Sequence, residues 1–193
     1  MITRHRETPT AGERGGRGKG GEKMLIETEY NRRAAVRYAL NWAFARNPRF
    51  YDFTEIGGDC TNFVSQCLYA GCDVMNYASE NGWYYINSDN RAPSWTGVNF
   101  LRDFLLTNKG TAVYGEEAAL SEIRRGDVIQ LINGDGRFYH SVFVSAVIYP
   151  VTERNIFVCA HSDDARNRRL STYGYADLFP IHILGARKEI NLS

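Results

Sequence analysis

The stretch DCTNFVSQCLYAG, residues 59–71, predicts a helix that begins at a cysteine. Asp59 is of the type that caps helix N-termini, and Gly71 is of the type that follows helix C-termini. Between them four apolar residues recur at helical spacing: Phe63, Val64, Cys67 and Leu68. We therefore expect a buried helix of about three turns with Cys60 in its first turn.

Two further helices are predicted on either side of this one. Residues 29–46 are alanine-rich, contain no glycine or proline, and end at Asn47-Pro48. Residues 97–108 return to helical spacing, with Thr96 as a possible cap. The segment between, residues 72–96, is rich in aromatic and turn-forming residues, and long loops of this kind are often functional.

From Gly126 onward the hydrophobic pattern changes to the alternation typical of strands. Strands are predicted at residues 127–132, 137–148, 155–161 and 181–187, with residues 162–179 as a loop. The first two are joined by Asn133-Gly134-Asp135-Gly136, a strong hairpin signal. Helices followed by a meander of strands indicate the α+β class, with N-terminal helices packed on an antiparallel β-sheet.

Composition restricts the kind of protein further. The chain has 193 residues, 44% hydrophobic and 23% charged, with a formal net charge of +1. No apolar run approaches the roughly 20 residues of a membrane span. The numbers exclude a membrane protein, a wholly disordered chain and a small disulfide scaffold, and they give no overall charge for binding nucleic acid.

Residues 1–23 differ from the rest and are predicted to be a disordered tail. They hold six basic and three acidic residues, a net charge of +3, together with six glycines and few apolar residues. Residues 24–193 are then a single domain. The first residues lack a secretory apolar stretch, so the sequence as given predicts a cytoplasmic protein. An incomplete N-terminus or non-classical release would make it extracytoplasmic.

The four cysteines do not suggest a disulfide framework or a metal site. Cys67 and Cys72 have a C-x4-C spacing, but no second pair exists and the histidines are distant in sequence. Cys159 lies in an apolar run and is expected to be a buried small hydrophobe. We therefore expect no metal and no other cofactor, and Cys60 is the cysteine whose surroundings need explanation.

Cys60 is placed where a thiol can become a nucleophile. Free N–H groups and the positive end of the dipole at a helix start favour the thiolate, and a neighbouring imidazolium favours it further. A lowered pKa is therefore expected for Cys60, with Asp59 opposing it unless its own carboxylate is held by N–H groups. Thiolates are the nucleophiles of thiol-dependent acyl transfer.

His140 is the histidine best placed to assist such a thiol. His5 lies in the tail, and His182 lies inside an apolar strand, where a structural role is favoured. Alternation puts His140 on one strand face with Phe138, Val142 and Val144, which by itself suggests a buried core histidine. The order of a cysteine at a helix start, a Gly-Asp turn into a strand, and a histidine strand instead favours catalysis.

Several strings together resemble the bacterial putative amidase domain family. They are GGDCTNFVSQCLYAG (57–71), PSWTG (93–97), GDVIQL (126–131), YHSVFV (139–144), AHSDD (160–164) and LSTY (170–173). The layout is similar to the CHAP (cysteine, histidine-dependent amidohydrolase/peptidase) group, and the resemblance runs from about residue 30 to residue 188. It implies a papain-like cysteine hydrolase fold.

The resemblance also implies roles by position. Cys60 matches the nucleophile and His140 the general base and acid. In the CHAP-like pattern a group on the next strand orients the histidine, and here His161 is the first choice and Asp163 the second. The alternative for His161 is a strand-end histidine that caps a loop.

Other residues are candidates for oxyanion donors and for a substrate cleft. The backbone N–H of Cys60 would be one oxyanion donor. For a second donor, the candidates are a protonated Asp59 and the hydroxyl of Tyr51. Four residues of the aromatic segment either line a substrate cleft or form an aromatic cluster under a long loop: Trp83, Tyr84, Trp95 and Thr96.

The sequence thus favours a thiol-dependent hydrolase of amide bonds that acts through an acyl-enzyme. Its partner would be a peptide or amide substrate, and the similar families suggest peptidoglycan fragments. The alternative is a non-catalytic ligand- or peptide-binding module on the same fold. RNA binding through the tail ranks third, because the tail has no aromatic residue to stack on bases. The oligomeric state is left open.

Overall fold

The computed structural model describes residues 23–192, and the predicted disordered tail, with its proposed RNA binding, falls on residues outside this range apart from Lys23. Residues 23–192 contain four α-helices: α1 Arg32–Trp42, α2 Cys60–Cys72, α3 Pro93–Thr96 and α4 Val98–Thr107. There are seven strands: β1 Lys23–Thr28, β2 Ala112–Glu117, β3 Val128–Ile132, β4 Phe138–Val147, β5 Ile156–Ala160, β6 Ala165–Arg169 and β7 Asp177–Asn191. Across residues 23–192, none of the helices has the length and apolar character needed to span a bilayer.

All seven strands form one sheet, and every pairing in it is antiparallel. The order is β1-β7-β3-β4-β5-β6, and β2 also pairs with β7. The α+β class and the antiparallel sheet are therefore confirmed, with β6 at one open edge.

Helix α2 and strands β3, β4 and β5 lie within one or two residues of their predicted positions. The predictions missed β1, β2 and β6 and gave β7 less than half of its 15 residues. β6 has the sequence Ala-Arg-Asn-Arg-Arg, which has no apolar alternation, and the prediction of a loop at these residues is wrong. Its strand conformation follows from pairing with β5.

Both faces of the sheet are covered. Phe143 of β4 points to the helices and packs in a core with Phe63 and Trp95. Val142 and Val144 point to the opposite face, where they pack with Leu170 and other apolar side chains of the loops. The strand thus has side chains in two separate cores, and this fixes its register against α2.

Helix α2 is nearly surrounded by protein, and its buried polar side chains have hydrogen-bond partners. Asn62 accepts a hydrogen bond from Trp95 Nε1 at 2.9 Å, and Ser65 accepts one from Trp83 Nε1 at 3.0 Å. Gln66 accepts one from the Tyr38 hydroxyl at 2.6 Å. The two tryptophans have no exposed surface. These bonds fix the rotation of α2 and hence the direction of its first residue.

The Gly-Asp turn before β3 joins the first helix to the sheet. Asp127 is fully buried and accepts hydrogen bonds from Arg32 Nη1 at 2.6 Å and from the backbone N–H of Ile183 at 3.1 Å. Its other oxygen is 2.8 Å from His182 Nδ1, which agrees with the structural role predicted for that histidine. Gly126 has φ of +90°, and a Cβ there would meet the Arg32 side chain at 3.1 Å. The turn therefore needs glycine for both backbone and packing.

Replacing Asp127 by asparagine tests this anchor. Asp127→Asn keeps the shape but leaves the Arg32 guanidinium without its buried countercharge, and we expect a loss of about 3 kcal/mol in the free energy of unfolding. Urea unfolding measures the loss. The control is Asp135→Asn in the exposed hairpin, which should change stability by less than about 0.5 kcal/mol. Equal effects of the two substitutions would contradict the anchor role.

Candidate active site

Cys60 is the first residue of α2 and lies against β4. Its side chain is 8% exposed, and its sulfur is 3.7 Å from Thr61 Oγ1. The backbone N–H of Ser141 also faces the thiol and favours its ionised form. Burial outweighs these contacts and raises the pKa of Cys60, and the charge of Asp59 raises it further. The expectation of a lowered pKa was therefore wrong, because desolvation dominates the field of the helix start.

His140 precedes Ser141 on the same strand and is 6% exposed. Burial lowers its pKa to about 4, and among residues 23–192 its buried Nε2 has no hydrogen-bond partner. A buried polar atom without a partner is uncommon in a purely structural residue. At neutral pH both the Cys60 thiol and the His140 imidazole are thus uncharged.

The structure brings Cys60 and His140 to the same strand without joining them. The Ser141 side chain points to the helices, where its hydroxyl lies 3.2 Å from that of Thr61. His140 shares the opposite side with Val142 and Val144, as alternation predicted. The prediction was wrong for Phe138, because a register shift between Phe138 and His140 lets Phe138 pack against Phe179 of the helix-side core. Within the described part of the chain, no hydrogen bond links the thiol to the imidazole.

His161, the first choice as orienting residue, lies against Asp59. Its Nδ1 is 2.6 Å from Asp59 Oδ2, its Nε2 is 2.8 Å from the carbonyl oxygen of Trp42, and its ring stacks on Phe63 with centroids 4.0 Å apart. Both ring nitrogens are engaged, which leaves neither for His140. A role of His161 in orienting His140 stays a prediction, and its present contacts connect it to the residue before Cys60.

Asp163, the second choice, is exposed and forms a salt bridge with Arg168. Its negative charge raises the pKa of His140, against the stronger effect of burial. Of the two candidates, Asp163 is therefore the one whose charge acts on the imidazole.

Tyr173 is a neighbour of His140 that sequence reasoning did not single out. The two ring centroids are 5.8 Å apart, and Arg168 lies over the tyrosine ring at 3.8 Å. Its buried hydroxyl has no hydrogen-bond partner among residues 23–192, and burial raises its pKa to about 12. Its place in the LSTY string was the available signal.

The residues predicted for a substrate cleft divide into two groups. Trp83 and Trp95 are fully buried and belong to the aromatic cluster of the alternative interpretation. Tyr84 and Thr96 are partly exposed. Tyr84 stacks on Tyr77 with centroids 5.1 Å apart. The aromatic segment thus serves mainly as core.

The two candidates for a second oxyanion donor, Asp59 and Tyr51, also have defined contacts. The Asp59 carboxylate accepts hydrogen bonds from Phe53 N at 2.9 Å and Asn62 Nδ2 at 2.7 Å, so it serves as an acceptor in a buried network. Tyr51 is half-exposed, and its backbone N–H donates to the Tyr85 hydroxyl. The four cysteines are free thiols, and residues 23–192 contain no group of three or more side chains able to hold a metal ion.

Comparison with known proteins identifies the family of this chain. The chain belongs to the putative amidase domain family, which it matches over residues 29–184. It is 32% identical over 120 residues to the uncharacterized protein YhbB of Bacillus subtilis (strain 168). That match covers 61% of this chain and 38% of the relative, so the chain spans less than half of that protein. No solved structure matches the chain.

The burial of His140 predicts a specific response to acid. An unfolded histidine takes up its proton near pH 6.5, whereas folded His140 does so only near pH 4. Stability present above pH 6.5 is therefore lost as the pH falls toward 4, and this site should account for about 2 kcal/mol between pH 7.5 and pH 5.

Urea unfolding of the wild type and of His140→Gln at both pH values measures this loss. The variant should lose about 2 kcal/mol less than the wild type over the same interval. An identical loss in both proteins would show that His140 titrates normally in the folded state.

Proposed function

We propose that the protein hydrolyses amide bonds through a thioester acyl-enzyme, with Cys60 as nucleophile and His140 as general base. Membership of the putative amidase domain family supports amide hydrolysis. The observation on which the assignment rests is the buried Nε2 of His140, which has no hydrogen-bond partner among residues 23–192 and belongs to the residue before Ser141, whose N–H faces the Cys60 thiol. Because neighbouring strand residues point to opposite faces, the imidazole must turn toward the thiol for the reaction. Cys60 lies at the start of a helix that packs on an antiparallel sheet, which supports a papain-like arrangement.

The reaction would begin from a neutral pair. As the Cys60 sulfur attacks the amide carbonyl carbon, His140 takes the thiol proton, and the oxyanion accepts a hydrogen bond from the free N–H of Cys60. The imidazolium then donates its proton to the leaving nitrogen as the C–N bond breaks. A water molecule, deprotonated by His140, attacks the thioester and releases the acid and the thiol. The negative charge of Asp163 would favour the imidazolium.

A peptide amide is the proposed substrate, with peptidoglycan stem peptides as the first class to test. The family resemblance suggests this choice, and it requires that the protein meet cell-wall material. Cys60 is only 8% exposed and therefore offers little surface to a substrate, which favours an extended peptide over a bulky folded partner.

A non-catalytic binding module is the second candidate. The observation that favours it is the missing hydrogen bond between Cys60 and His140 among the described residues. Such a module would bind peptides without cleaving them, and its thiol would titrate as a buried cysteine does.

Replacement of the nucleophile distinguishes the two candidates. Cys60→Ala should reduce hydrolysis of purified muropeptides and simple amides by about 10³-fold or more, because the acyl-enzyme can no longer form. The control is Cys72→Ala at the other end of the same helix, which should keep wild-type activity. Activity that survives in Cys60→Ala would remove the thiol from the mechanism, and binding without turnover in the wild type would favour the module.

The neutral pair also predicts the pH profile. His140 has its pKa near 4 and the pKa of Cys60 is raised, so both groups are in the required form across neutral pH. We expect kcat/KM to be flat between about pH 5 and pH 8. A fall of kcat/KM within this interval would contradict the neutral-pair mechanism. A preformed thiolate–imidazolium pair holds the same number of protons and gives a profile of the same form, so it would be recognised instead by rapid iodoacetamide labelling of Cys60 already at pH 5.

A further inference from the structure

We propose that His161 is a positioning residue for the nucleophile: through Asp59 it fixes the start of α2 and balances the charge beside the Cys60 thiol. This inference rests on the proposed function for its catalytic meaning, but its geometry and its test concern the thiol alone.

The two ring nitrogens of His161 leave few choices for its protons. The carbonyl oxygen of Trp42 can only accept, so Nε2 must bear a proton and donate it across 2.8 Å. Nδ1 faces a carboxylate oxygen of Asp59 at 2.6 Å. This short contact also contains a proton, so the negative charge of Asp59 is balanced by the proton that it shares with His161.

Asp59 is held at its backbone as well as at its side chain. Its N–H donates to Ser162 Oγ at 2.6 Å, and Ser162 directly follows His161. Gly58 has φ of +101°, and a Cβ there would meet the same Ser162 oxygen at 3.2 Å. The two residues that follow β5 therefore contact both the backbone and the side chain of Asp59. Since Cys60 is the next residue, these contacts fix its Cα and the direction of its free N–H.

Arg46 is the other charged group near the Asp59–His161 pair. Arg46 Nε lies 3.7 Å from Asp59 Oδ2, but the same guanidinium contacts Asp52 at 3.4 Å and Asp164 at 2.9 Å. One arginine is therefore shared by three carboxylates, and His161 is the direct partner of Asp59.

The remaining charged groups near the site act elsewhere. On the other side of β4, the Asp163 and Arg168 charges act on His140. The charge of Asp59 raises the pKa of the Cys60 thiol. How far His161 balances that charge therefore affects the pKa of Cys60.

Two substitutions should shift the thiol in opposite directions. His161→Gln removes the balancing charge, so the pKa of Cys60 should rise by about one pH unit. Asp59→Asn keeps an oxygen acceptor for Phe53 N and Asn62 but removes the negative charge, so the pKa of Cys60 should fall by a similar amount. The measurement is the rate of iodoacetamide labelling of intact protein against pH, with the label located at Cys60 by peptide fragmentation.

His182→Gln is the matched control, because His182 also pairs with a buried aspartate, Asp127, on a different part of the sheet. It should leave the labelling profile of Cys60 unchanged. Circular dichroism at the labelling temperature selects conditions in which each variant is folded. Should His161→Gln not fold, the isosteric Asp59→Asn still gives the shift by itself.

Two results would overturn the proposal. Labelling profiles that coincide for the wild type and both variants would reduce the pair to a structural contact. A His161→Gln variant that moves the NMR titration of His140 and not the thiol would return His161 to the orienting role. Failure of the proposed function is separate, since it would appear as activity in Cys60→Ala with the thiol shifts intact.

Discussion

The proposed active site depends on a 2.6 Å contact between Asp59 and His161. This contact joins the residue before α2 to the residue after β5, elements separated by about a hundred residues in sequence. Because both side chains are buried, breaking this bond would leave two polar atoms, His161 Nδ1 and Asp59 Oδ2, without a hydrogen bond. The start of the helix is therefore fixed relative to the sheet, and Cys60 with it.

Burial sets the character of the site that results. A thiol at a helix start in water would favour its ionised form, but here desolvation keeps the thiol protonated and the imidazole neutral. In a hydrolase, this pair would resemble the hydroxyl and histidine of serine enzymes, where the proton moves during attack. The chain belongs to the putative amidase domain family, and this proton transfer is the chemistry that we propose for it.

The sequence predicted the elements that have their own periodicity and missed those that depend on partners. Helix α2 and strand β4 follow from local patterns of apolar residues, so their positions were correct. β6 has no such pattern and exists because β5 lies beside it. The burial of Trp95 could not be derived either, because it depends on Asn62 presenting an oxygen at the right side of α2.

The open edge of the sheet has a consequence for how the protein meets copies of itself. β6 ends the sheet with Arg166, Arg168 and Arg169 along one short strand. A second chain that added a strand there would bring an identical row of guanidinium groups alongside the first. Mutual repulsion opposes such pairing, so the edge protects the fold from growing into intermolecular sheets at high concentration.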